Sequence, residues 1–478
     1  MRFRFLSAVV LTLLVGSGVA ASAEERFVGN FAEPVDGGNI DTALSSFDGR
    51  KVLIVPRAHA NEAISGATRW RNVLFAVRGM KGRAPVFELP LLSPGTGRSV
   101  LLPNTVAVQN IKLMWSYEPN SAQWQSFETN THTGSTPSDW RVQARNGQAF
   151  DRDVVYVSIN ERLAVGEFYA WLEDNVFSHP LVKPTPSAIS PGSFIIGYQS
   201  GAVASEACSR AIPDMPLYGF VIRDPTAKPR KLLMLFSGQH PYEGQNKVAL
   251  QAAVDWVLNS TSAEASTFRA TYVTIVYPFV NPTGELAGLW RGTAAAPYRD
   301  TNRNWDTPET LPSRDRGIDT VIVHKNALAR DIAALGLGEP FAVFDYHQNF
   351  GDHASELDYV LHSSASSTGE AVVAQRSAES NFAPYFTRLA ADAPLAERES
   401  DLDSQETLRG YMIARGVQLL ITFERSVYHT LASERTFGAA TMKALIEPRP
   451  LEPVAMEAAS QLAHAESTPP GITATVEE

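Results

Sequence analysis

Between Lys231 and Glu424 the chain alternates two hydrophobic patterns. Short continuous apolar runs cover Lys231 to Phe236, Tyr272 to Tyr277, Phe341 to Phe344 and Leu419 to Phe423. Each reads as a strand buried on both faces. Longer segments separate them. From Gln245 to Leu258, the residues Ala249, Ala252, Ala253, Trp256 and Val257 recur on one helical face, and Ile318 to Leu335 reads as a second helix. Strands alternating with helices predict an α/β domain with a mixed, largely parallel sheet covered by helices on both faces.

Upstream of Pro180 the pattern changes. Lys51 to Pro56, Asn72 to Val77 and Asp153 to Ser158 are β-branched or aromatic runs, punctuated by clusters such as Ser93-Pro-Gly-Thr-Gly97. An all-β sandwich-like domain is expected over residues 24–180. Trp70, Trp115, Trp124 and Trp140 fall in it and are expected to pack its core rather than to stack on a ligand. Prolines 180, 184, 186 and 191 mark a junction over 181–192, and the α/β domain is expected over 193–447. Residues 448–478, rich in Pro, Glu, Ala and Thr, are expected to be poorly ordered. No internal repeat is visible.

The first 23 residues read as a secretory signal peptide: Arg2 and Arg4, an apolar run from Phe5 to Val15, then Ala21-Ser22-Ala23. That run is shorter than the ~20 apolar residues of a membrane span, and no later stretch is long and apolar enough. An exported protein, periplasmic or secreted, is therefore expected, with no integral membrane segment after cleavage. Loss of Arg2 and Arg4 takes the formal charge from −10 to −12, which argues against a nucleic-acid partner. A hydrophobic fraction of 44% with 19% charged residues excludes a disordered chain. Cys208 is the one cysteine. It excludes an intramolecular disulfide and clusters of two or more thiolates, so a metal site must use His, Asp and Glu. Cys208 itself reads as a small buried residue, not a catalytic thiol. The sequence does not fix an oligomeric state.

Histidine carries the candidate chemistry. The pair His-x-x-Glu occurs at His59/Glu62, His240/Glu243 and His353/Glu356. Residues three apart in a turn can offer an imidazole and a carboxylate to one metal, and context chooses among the three. His240 follows a buried strand and precedes a helix, and His347 ends the third strand. Sites of open α/β sheets form at such carboxyl ends. Two histidines and a glutamate leave a fourth position for water, the ligand set of a catalytic zinc. Glu424 ends the fourth strand and is placed to act as general base. His59/Glu62 lies in the all-β part and reads as non-ligating. His353 and Glu356 read as a solvated loop or as groups beside the site.

The segment between these residues is more specific. It contains Asn281-Pro-Thr-Gly284, Leu289-Trp-Arg291 and Asp300-Thr-Asn-Arg-Asn-Trp-Asp306. Here the sequence resembles the zinc carboxypeptidase family, whose order is His-x-x-Glu, Asn-Pro-x-Gly, an arginine, Asp-x-Asn-Arg, a histidine and a late glutamate. All six occur in order. The resemblance is closest to the cytosolic carboxypeptidase branch, through His240-Pro-Tyr-Glu243 and the β-rich N-terminal part. It spans roughly residues 65 to 445 and is strongest from 232 to 425; export departs from that branch.

The resemblance implies one zinc per chain held by His240, Glu243 and His347, with Asp300 hydrogen-bonded to the far nitrogen of His240. Asn302 and Arg303 would grip the substrate's terminal carboxylate, and Arg291 would stabilise the oxyanion. Glu424 would take a proton from the attacking water and pass it to the leaving amine. The substrate would be a peptide or protein C-terminus. Counted back without gaps, the position lining the pocket for the last side chain is Arg409, which implies a preference for terminal Glu or Asp, against a reading of Arg409 as a solvated loop residue. The family's mobile capping tyrosine aligns with Leu402, the nearest tyrosine being Tyr411, so capping must differ. Asn-Pro-Thr-Gly for Asn-Pro-Asp-Gly reads as a turn variation. Two rival readings stand: an N-acyl amino acid deacylase of related fold, and an inactive peptide-binding module. A serine hydrolase is disfavoured because no Gly-x-Ser-x-Gly elbow occurs.

Overall fold

The computed structural model describes residues 27–446 apart from internal stretches, of which 92–110, 308–317, 350–357, 363–369 and 400–405 are the longest. Cys208, His353, Glu356 and Leu402 lie outside the described residues, as do the side chains of His59 and Glu62.

An eight-stranded mixed sheet carries the second half of the chain. Its spatial order is Val182–Pro184, Phe220–Ile222, Tyr272–Tyr277, Lys231–Ser237, Ala342–Asn349, Leu419–Ser426, Tyr359–His362 and Ala396–Glu399. The four strands from Tyr272–Tyr277 to Leu419–Ser426 run parallel to one another. Phe220–Ile222 and Tyr359–His362 flank them antiparallel. Period-two alternation sorts each strand's side chains onto opposite faces. Leu233, Leu235, Phe344, Tyr346, Ile421 and Phe423 pack with Ala249, Ala253 and Val257 of helix Asn246–Asn259 and with Phe437 and Ala440 of helix Leu431–Lys443. Leu232, Met234, Phe236, Val343 and Leu420 pack with Val321, Leu328 and Ile332 of helix Asp319–Leu335 and with Met412 of helix Leu408–Ala414. Both faces are dry, which is why these strands read as continuous apolar runs. Helices 246–259 and 431–443 approach so closely that a Cβ at Gly438 would strike the Ala249 carbonyl.

Two five-stranded sheets precede this unit. One has the order Phe31–Ala32, Leu74–Arg78, Val154–Ser158, Met114–Ser116, Gln125–Ser126; the other Thr129–Thr133, Arg141–Arg145, Val86–Pro90, Lys51–Leu53, Ser46–Phe47. Phe75, Val77, Phe87, Leu89, Val142, Val155 and Val157 form their shared core. Trp115 packs edge-on against Phe150, with ring centroids 5.1 Å apart. Tyr242, Trp290 and Val427, from loops beyond the parallel strands, join the same core. The β-rich half therefore braces the loops that leave the carboxyl ends of the central sheet. Among the described residues no helix is long and apolar enough to cross a membrane.

Candidate active site

Strand Lys231–Ser237 ends at Gly238, whose φ of +69° is reached without strain only by glycine. The turn delivers Gln239 and His240 above the sheet edge. His240, Glu243 and His347 are all buried, and their ligating atoms lie within 4.8 Å of one another. Glu243 stands between the imidazoles: Oε1 is 2.7 Å from His240 Nδ1 and Oε2 is 3.0 Å from His347 Nδ1. Tetrahedral zinc with bonds of ~2.0–2.1 Å spaces its ligand atoms about 3.4 Å apart, close to this spread. Among the described residues His347 Nδ1 is buried without a hydrogen-bond partner, facing the Glu243 carboxylate, an arrangement that fits a nitrogen whose lone pair turns toward a metal shared with Glu243. This donor set suits zinc.

Carboxylates hold the outer nitrogens. Asp300 Oδ1 lies 3.3 Å from His240 Nε2, and Asp345 Oδ2 lies 2.9 Å from His347 Nε2. Asp345 favours the His347 tautomer with the proton outward and the lone pair inward, while His240 Nε2 lies between Asp300 and the Arg291 guanidinium. The sequence reading singled out Asp300 but missed Asp345. The signal was present: Asp345 and His347 are two apart on one strand and so share a face.

Electrostatics follows from burial against pairing. Burial alone would raise the Glu243 and Asp300 carboxyls; the imidazoles beside Glu243, and Arg291 with His240 beside Asp300, hold both well below the usual range. Burial would strip the proton from His347, but Asp345 and Glu243 outweigh it and raise its affinity. The Arg291 guanidinium, 3.1 Å from Asp300, stays charged against the same burial penalty, aided by the fields of Glu243 and Glu424.

The remaining expected residues fall around this group. Glu424, half-buried, pairs in register with His347 on the adjacent strand. Arg291 Nη2 rests 3.0 Å from His240 Nε2. Asn302 is buried, and its Oδ1 accepts the Leu408 amide at 2.9 Å. Arg303 is partly exposed, with Nη1 donating to the Asn302 carbonyl and Nε 3.8 Å from Glu406. The Tyr411 ring packs on Trp305, with centroids 5.8 Å apart.

Arg409 requires a correction. It is buried to 2% exposure, with Nη2 3.0 Å from Glu379 and Nη1 donating to the carbonyls of Leu361 and Leu420. Leu420 lies four residues before Glu424 on the same strand, roughly 13 Å along it at ~3.3 Å per residue. The guanidinium already has its countercharge, so it is neither a solvated loop residue nor an unpaired cation awaiting a substrate carboxylate. A further unforeseen feature is the fully buried pair Lys247–Glu285, with Nζ 2.5 Å from both oxygens, which ties the ligand-bearing segment to helix Pro282–Leu286. Lys247 has no sequence mark that separates it from a solvated helix lysine.

No family model matches the chain. In sequence it is 31% identical over 94 residues to cytosolic carboxypeptidase 3 of Bos taurus, covering 19% of this chain and 9% of that protein. It is 26% identical over 124 residues to cytosolic carboxypeptidase 2 of Homo sapiens, covering 24% of this chain and 13% of that protein. The chain thus spans only a small part of these relatives' length. In structure it is similar to a metallo-carboxypeptidase from Burkholderia cenocepacia, with a TM-score of 0.64 and 17% identity over 87% of this chain and 97% of that one. A metallo-carboxypeptidase from Pseudomonas aeruginosa gives 0.62 and 13% over 87% and 98%. At such identities the structural likeness shows the fold, and the sequence similarity adds to it independently. On the two together, the chain has the fold of metallo-carboxypeptidases and resembles the zinc carboxypeptidase family in sequence.

Proposed function

We propose that the chain is a zinc-dependent carboxypeptidase that hydrolyses the C-terminal peptide bond of peptides. The observation that carries this reading is the convergence of His240, Glu243 and His347, with Glu424 on the strand rung beside His347. Zinc held by the three would polarise the scissile carbonyl and make a water more acidic. The chain's own groups supply the rest. Glu424 accepts the proton of the attacking water and returns it to the leaving amine. Arg291, held charged by Asp300, faces the negative charge that develops on the carbonyl oxygen. Arg303 takes the terminal carboxylate, since a guanidinium fork matches it, and Asn302, tied to the Leu408 amide, accepts from Arg303 at its carbonyl and holds it in place.

With Glu379 already opposite Arg409, the proposal carries no preference for an acidic terminal residue through Arg409. The wider reading includes an N-terminal β-sandwich-like domain over 24–180 ahead of a catalytic domain over 193–447, supported by the core that the two five-stranded sheets share, which Tyr242, Trp290 and Val427 of the second half also join. It also includes export, supported by the signal-like pattern of residues 1–23. The test is a set of peptides with free or amidated C-termini, incubated with the zinc-loaded protein. Release of one residue from free C-termini alone is expected. Cleavage of N-acyl amino acids with intact peptides would overturn the reading in favour of a deacylase.

A further inference from the structure

Gln239 precedes the first metal ligand and is fully buried. Its Oε1 accepts the Trp305 indole N–H at 3.3 Å, and its Nε2 donates to Asp345 Oδ2 at 2.6 Å. An indole nitrogen can only donate, so the oxygen end of the amide must face Trp305 and the nitrogen end Asp345. The same Asp345 oxygen takes His347 Nε2 at 2.9 Å, while Asp345 Oδ1 has no hydrogen-bond partner among the described residues. Gln239 Nε2 and His347 Nε2 are 3.2 Å apart and share that one acceptor. A buried carboxylate held by two hydrogen bonds depends strongly on each.

The tautomer of His347 follows. With its Nε2 proton committed to Asp345, the Nδ1 lone pair turns toward Glu243 and the metal position. Trp305 ends the segment that begins with Asp300, and Asp300 meets His240 Nε2. One loop therefore sets the outer nitrogens of both histidines, His240 through Asp300 directly and His347 through Trp305, Gln239 and Asp345. Asn302 and Arg303 lie in the same loop.

We propose that Gln239 is a positioning residue that couples the Asp300–Trp305 loop to the metal ligand His347. The proposal rests on the reading of the site as a zinc site. Gln239 strengthens zinc binding by fixing Asp345, and it transmits the placement of the loop to the metal position. Replacing its side chain leaves the backbone ties of the turn in place, because Thr301 Oγ1 and Asn281 Nδ2 both donate to the Gln239 carbonyl.

The experiment measures the zinc dissociation constant by competition with a chromogenic chelator, together with the thermal midpoint of the metal-free protein. Gln239→Met keeps the volume and loses the donor. It is expected to weaken zinc binding roughly 10–100-fold, the usual effect of removing a group behind a metal ligand. Gln239→Asn, whose amide falls short of Asp345, should show a similar loss. Trp305→Phe should weaken zinc less, by loosening the amide's orientation. The double variant Gln239→Met/Trp305→Phe should be no weaker than Gln239→Met alone, because the indole acts through the amide. A purely structural role would lower the metal-free midpoint and leave zinc affinity unchanged. Zinc affinity of both Gln239 variants within about twofold of wild type, or losses that add in the double variant, would overturn the proposal while the zinc site stands. Failure of the wild type to bind zinc would instead overturn the site and this proposal with it.

Discussion

His347 and Glu424 occupy the same rung of two parallel strands, Ala342–Asn349 and Leu419–Ser426. Neighbouring strands lie ~4.8 Å apart, so a candidate metal ligand and the candidate proton acceptor are fixed side by side on one face of the sheet. Eight consecutive register pairs hold that placement. The rung before it, Tyr346 stacked on Phe423, faces the opposite way and meets Phe437 edge-on. A slip of one residue would turn Glu424 into that apolar layer. The same register that buries the core therefore aims the chemistry.

Glu424→Gln is expected to keep zinc and lose most turnover. The amide is nearly isosteric but cannot accept the water's proton. General base catalysis contributes ~10²–10⁴-fold, so kcat should fall by at least that range with zinc content unchanged. Near-normal hydrolysis in this variant would remove Glu424 from the mechanism.

The parts of the molecule governed by local pattern were legible in the sequence. The helix expected from Gln245 to Leu258 is found at Asn246–Asn259, and the strand expected at Tyr272 to Tyr277 is found there. His240, Glu243 and His347 could be chosen because strand ends and motif order mark them. Groups defined by distant partners were not legible. Arg409 acquires its meaning from Glu379, thirty residues away on another helix, and counting back along the chain from Glu424 carries no information about that pairing. Lys247 meets Glu285 through a turn that only the fold closes. The last two strands of the sheet, Tyr359–His362 and Ala396–Glu399, are four residues each, too short for a periodic signal.

Removing one partner of the buried pair Arg409–Glu379 should cost stability rather than specificity. Arg409→Met is expected to destabilise by ~3–5 kcal/mol because it strands a buried carboxylate, and Arg409→Met/Glu379→Leu should recover much of that loss. Urea unfolding measures both. Relative rates on Glu-ended and Phe-ended peptides should stay as in the wild type. A variant of unchanged stability that cleaves Glu-ended peptides poorly would restore Arg409 to the substrate pocket.

His324 gives the fold an acid limit. Burial pushes its pKa down from 6.5 to about 4, while Nδ1 is held at the Thr320 carbonyl and Nε2 is buried without a partner among the described residues. The unfolded chain takes up this proton below about pH 6.5 and the folded chain only near pH 4. The group's stabilising contribution is thus complete above pH 6.5, is lost as pH falls toward 4, and levels off below. A shift of this size corresponds to about 3 kcal/mol. Urea midpoints of wild type should fall between pH 7 and pH 4.5, and His324→Phe should show a shallower fall. Equal slopes would exclude His324 as the cause.

Zinc content measured on the purified wild type and on His240→Ala, Glu243→Ala, His347→Ala and His59→Ala tests the central claim most directly. The account predicts about one zinc per chain, as for a single catalytic site, in the wild type and His59→Ala, and none retained through purification in the other three. A wild type without zinc after purification in its presence, or a loss confined to His59→Ala, would contradict it.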